Sequence, residues 1–187
     1  MKNKKFKLFA SLTSLVMVVA VMAVGVWAAT TASVGITGSV SLTSTNARAT
    51  ITTSAVSVEG AQLAAESTTE QKSVTLKGIA DEEASLVLGA LVIDSEEVSA
   101  ETITVYYTVT IQNTDTKNKI TVTVAANDAT VYNADAYASQ GMAEVTQPFD
   151  IAKEGTDTLV VAVSAPSTAD FNKNIGITLS LVASAQA

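Results

Sequence analysis

Histidine and cysteine are both absent from this chain of 187 residues. Without histidine there can be no Ser-His-Asp triad, no zinc-histidine site and no histidine acid/base. Without cysteine there are no disulfides and no thiolate metal ligands. Aromatics are scarce as well: beyond residue 29 they are Phe149, Phe171, Tyr106, Tyr107, Tyr132 and Tyr137. Paired carboxylates could still cleave glycosides, but such pairs sit in clefts where aromatic rings stack on sugars. The reading is therefore not an enzyme, with no cofactor and no small-molecule substrate.

Positive charge is the next deficit. Lys2, Lys4, Lys5 and Lys7 lie at the very start, and the next cation is Arg48. Beyond residue 29, seven Lys and Arg face 18 Asp and Glu, a net charge near −11. A surface so acidic repels phosphate, which argues against nucleic acid and anionic lipid as partners.

The opening residues carry the most information. Four lysines precede an uncharged run from Leu8 to Ala29, which ends Val26-Trp27-Ala28-Ala29. A cationic start, an apolar middle and a small-residue exit read as a secretory signal peptide, residues 1–29, cut after Ala28 or Ala29. A retained membrane helix is the competing reading, because the run of 22 residues is long enough to span. Ser11, Thr13 and Ser14 interrupt it, and no cationic cluster follows, so cleavage is preferred. The expected site is secreted, extracellular or at the cell surface. The membrane would be met only through the leader, and a signal peptidase would be a partner during export.

The remaining 158 residues are enough for a single domain with a substantial core, 30–187. They alternate between apolar and polar residues almost throughout, which is the strand signal. Val34, Ile36, Val40 and Leu42 form the first series, with Gly38 where a fifth apolar residue would fall. Ala47, Ala49 and Ile51 continue it, and the opposite parity of Val56 and Val58 predicts a bulge between Thr52 and Ala55. Val74 and Leu76 mark a strand, and Leu86 to Ile93 reads as a strand buried on both faces. Thr102 to Gln112 alternates most clearly, with Ile103, Val105, Tyr107, Val109 and Ile111 on one side. The polar run Asn113 to Lys119 and the return at Ile120, Val122 and Val124 read as a β-hairpin. Leu159–Val163 and Ile175–Leu181 add two strands. Gly60–Gln71 reads as a loop, and Asn127–Gln147 as a long crossover with a short helix near Ala134–Ser139. Eight or nine strands make the fold all-β, an antiparallel two-sheet β-sandwich of jelly-roll type behind a signal-peptide helix.

Four segments carry a family likeness. The leader ending Gly25-Val26-Trp27-Ala28-Ala29 resembles those of TasA and camelysin-type proteins of Gram-positive bacteria, which the signal peptidase SipW cuts. The segment Thr30 to Leu42 is similar to that family's first jelly-roll strand. Tyr107 to Thr114 resembles a later strand with its turn, and Ile177 to Ala183 the closing strand. The resemblance implies a subunit of a biofilm matrix or surface fibre, a homopolymer in which the N-terminal strand of one copy completes the sheet of the next. Val34, Ile36, Val40 and Leu42 would be that donor strand. The protease activity described for camelysins is not carried over, because no residues here match a metal-binding motif.

Two features invite a binding role, each with a plainer explanation. Asp81-Glu82-Glu83 and Asp94-Ser95-Glu96-Glu97 have the carboxylates for calcium but not the spaced ligand pattern, and solvated turns explain them. The threonine faces of Thr102–Thr110 and Thr121–Thr123 could form a flat platform, and an exposed sheet face gives the same pattern. A monomeric adhesin or carbohydrate-binding module stays open as the alternative function.

Overall fold

A computed structural model describes residues 34–94, 97–134, 143–167 and 173–185, without the side chains of Val34, Ala55 and Val56. The leader with Ala28 and Ala29, and the expected helix beyond Ala134, lie outside the described residues.

Eleven strands follow one another: β1 (Val34–Thr45), β2 (Arg48–Glu59), β3 (Gln62–Leu63), β4 (Lys72–Lys77), β5 (Ala80–Asp94), β6 (Thr102–Asn113), β7 (Asn118–Asn127), β8 (Thr130–Asn133), β9 (Phe149–Ile151), β10 (Thr156–Pro166) and β11 (Lys173–Ala185). They form a six-stranded sheet ordered β3-β5-β1-β11-β7-β9 and a five-stranded sheet ordered β4-β2-β6-β10-β8. Every odd-numbered strand is in the first sheet and every even-numbered one in the second, so each connection crosses the sandwich. All pairings are antiparallel except β1 with β11, which is parallel.

This alternation corrects the hairpin. β6 pairs with β2 and β10, and β7 pairs with β11 and β9 in the opposite sheet. The polar run between them is an arch over the end of the sandwich. Asn113, expected as a turn residue, is fully buried there. Its Nδ2 donates to the carbonyls of Asn118 (3.0 Å), Ile151 (3.3 Å) and Ala152 (3.0 Å), and its Oδ1 accepts from the Asp115 N–H (2.9 Å). The amide thereby ties the arch to the end of β9. Several other crossings take a left-handed residue, Asn46 (φ 57°), Gly60 (83°), Gly78 (78°), Asp128 (55°) and Glu154 (56°), and so does Asp81 (56°) at the start of β5.

The core lies between the sheets and takes alternate residues from both faces. β5 is not buried on both sides. Leu86, Leu88, Leu91 and Ile93 point inward, while Val87 is 71% exposed. A register shift opposite Ile36 to Gly38 lets Leu88 and Leu91, three residues apart, share the inner face. In β2 the corresponding shift lies between Ala55 and Ser57, slightly beyond its expected place. The strand covered on both faces is β10: Leu159, Val161 and Val163 face the core, and Val160 and Ala162 are buried on the outside beside Tyr106.

Candidate functional site

The segment singled out for donation, Val34 to Leu42, forms most of β1. The alternation works as read: Ile36, Val40 and Leu42 are fully buried, while Thr37, Ser41 and Thr43 face solvent. Val34 opens the strand opposite Ile93. Gly38 has a packing reason that the sequence pattern could only hint at by its gap. A Cβ there would lie 2.5 Å from Ile175 Cγ1 and 2.9 Å from Leu88 Cδ1, so these neighbours fill the place of the missing apolar side chain.

β1 lies in a slot. On one side β5 runs antiparallel to it from Val34↔Ile93 to Thr45↔Ala80. On the other, β11 runs parallel from Ile36↔Lys173 to Thr45↔Val182. The slot's inner walls are Leu86, Leu88, Leu91 and Ile93 on β5 and Ile175, Ile177, Leu179 and Leu181 on β11, all buried. Burying Ile36, Val40 and Leu42 contributes about 1.5–3 kcal/mol each. That total is comparable to the net stability of a typical domain, roughly 5–15 kcal/mol. Something must therefore fill the slot for the sheet to persist.

Val87 and Val182 are exposed on the outer surface of this sheet, but two rows between them are polar. Ser85, Ser41 and Thr178 form one row across β5, β1 and β11, and Glu83, Thr43, Ser180 and Thr123 form the next, reaching β7. At the first end of the slot the Thr37 hydroxyl donates to Asn174 Oδ1. Toward the far edge Lys119 Nζ and the Thr121 hydroxyl both donate to Asp150 at 2.6 Å. The Lys119 bond, then the Thr121 bond, hold the Asp150 carboxyl below its usual range. Asp115 is lowered in the same way, first by the Asn118 side chain and then by the Lys117 and Asn118 N–H groups.

The two threonine runs do not form one platform. Thr121 and Thr123 belong to the outer face of the six-stranded sheet, and Thr104, Thr108 and Thr110 to that of the five-stranded one. Tyr106 interrupts the latter: it is 8% exposed, and its hydroxyl donates to Glu59 Oε2 at 2.8 Å. Of the acidic clusters, Glu82 Oε2 accepts from the Lys77 N–H at 2.8 Å. Asp94 pairs with Gln62 in the ladder, and Ser95 and Glu96 lie outside the described residues. Among the described residues no group of three or more acidic side chains is placed to hold a metal ion.

Two polar core atoms are not legible in the alternation of the strands. The Ser44 and Tyr107 hydroxyls are buried and find no hydrogen-bond partner among the described residues. Burial pushes the Tyr107 phenol well above its ordinary value. Asn46, just beyond β1, sits where the apolar positions change parity, even-numbered through Leu42 and odd-numbered from Ala47, a signal of the crossing that a single continuous series overlooks.

No protein-family model matches the chain, and no curated protein sequence matches it. Among solved structures, it is similar to a major pilin protein (T3.2) of Streptococcus pyogenes, with 11% identity, 80% of this chain and 45% of that one covered, and a TM-score of 0.22. A second major pilin (T-13) of the same species gives 9% identity, 81% and 97% coverage and a TM-score of 0.19. A yeast delta-COP-I mu-homology domain gives 10% identity, 80% and 97% coverage and a TM-score of 0.16. The chain thus spans less than half the length of the first pilin. TM-scores this low carry no argument about function.

Proposed function

We propose that this chain is a secreted, non-catalytic structural protein that assembles with itself into an extracellular matrix or surface fibre by exchange of β1. The observation that carries this reading is the position of β1. It is uncharged, it is the first strand after the segment read as a leader, and it supplies the middle of a sheet through two ladders. Leader cleavage would leave it next to a chain terminus. A terminal strand that fills a slot in its own chain fits the same slot in a second copy, with the same hydrogen bonds and the same apolar contacts. The lack of histidine and cysteine supports a role without catalysis.

A cross-link tests the exchange. Ser41 and Ser85 are cross-strand partners on the exposed face, and antiparallel partners are spaced within disulfide reach. Oxidised Ser41→Cys/Ser85→Cys protein should stay monomeric in sedimentation at concentrations where its reduced form polymerises. Equal polymerisation of both forms would refute strand exchange.

A monomeric binding module is the second reading, favoured by the Ser/Thr rows on the outer face of the six-stranded sheet. Such a module keeps one size at every concentration.

A further inference from the structure

We propose that Asn46 is the hinge that sets whether β1 closes into its own sheet or extends into a neighbouring copy; the inference rests on the strand exchange proposed above. β1 and β2 are separated by Asn46 and Ala47 alone, yet they belong to opposite sheets. The chain makes that crossing with Asn46 at φ 57°, in the left-handed region. On exchange, the ladders with β5 and β11 and the burial of Ile36, Val40 and Leu42 are the same in both forms, so they cancel. The hinge does not cancel. Extending it places residue 46 in the β region and merges β1 and β2 into one run from Val34 to Glu59.

Asparagine is among the few non-glycine residues that tolerate the left-handed region, whereas a β-branched residue is a genuine outlier there. Position 46 therefore holds the closed form without enforcing it, and short hinges under strain invite exchange. Of the other left-handed non-glycines, Asp81 lies within β5 and Asp128 and Glu154 flank strands interior to the sequence, which cannot be exchanged singly. Asn46 adjoins the first strand. The parallel ladder also fixes direction: β1 ends where Thr45 meets Val182, so the donor's body follows beyond that end of the acceptor. Repeated head to tail, such an exchange gives a filament unless the rotation closes a ring.

The test uses protein secreted and purified from the full-length chain, with the critical concentration for polymer read by light scattering and sedimentation. Asn46→Val should lower it about tenfold, while Asn46→Gly should match or exceed wild type and keep its monomer. In the Asn46→Val background, the oxidised Ser41→Cys/Ser85→Cys pair should abolish polymer, and reduction should restore it. Unchanged critical concentrations in both Asn46 variants, with assembly still blocked by the cross-link, would overturn the hinge and leave strand exchange standing. Asn46→Val protein that unfolds instead of polymerising would overturn the hinge too. Polymerisation of the cross-linked form, or no polymer from wild type and Asn46→Val alike, would overturn both.

Discussion

Asn113 shows why a single amide can outweigh its polarity. Its side chain satisfies three carbonyls at the end of the sandwich, so Asn113→Ala would leave buried acceptors unpaired. The expected loss is about 2–4 kcal/mol in urea unfolding; less than about 0.5 kcal/mol would mean that the carbonyls find other partners. Tyr107 is the converse case. Its hydroxyl is buried without a described partner, so Tyr107→Phe should be neutral or stabilising by up to about 1 kcal/mol. A clear loss in the same assay would reveal a hidden partner. Asp115 predicts a pH dependence. Its carboxyl pKa is lower folded than unfolded, so its contribution is complete above the ordinary carboxylate value and disappears as pH falls through the folded one. Between about pH 5 and about pH 2 the urea midpoint of Asp115→Asn should therefore fall less steeply than that of wild type. Parallel profiles would show that the arch does not depend on that charge.

Among the elements, β6 was the most legible and also the most misleading. Its alternation is real: Val105, Val109 and Ile111 are fully buried, while Thr108 is only half-buried. Val109→Asp should cost several kcal/mol by burying an unpaired carboxylate, and Thr108→Asp about 0.5 kcal/mol. Equal losses would mean that both faces of β6 are core there. Its partner was not legible, because alternation assigns a face and says nothing about which strand lies beside it. The doubly covered strand was misplaced for a related reason. An unbroken apolar run at Leu86–Ile93 conceals a bulge, and the outer cover of β10 comes from Tyr106, distant in sequence.

At the scale of the molecule, no two consecutive strands pair among the described residues. Every ladder closes a loop before it gains a hydrogen bond, and that entropy slows folding. Refolding from urea should take milliseconds to seconds or longer, as for sandwiches of high contact order; a microsecond phase carrying the full amplitude would contradict this topology.

The sequence by itself determined the strand class, the inward faces of β1 and β6, and the chemistry denied by missing histidine and cysteine. These properties follow from residue type and a period of two, both local. Only the tertiary structure decided that strands alternate between sheets, that β1 runs parallel to β11, and that Asn113 turns inward to carbonyls at the end of β9. Those facts depend on which distant segments meet. A strand's pattern of faces is the same whichever neighbour it pairs with, so its partner is settled only when the whole core is packed.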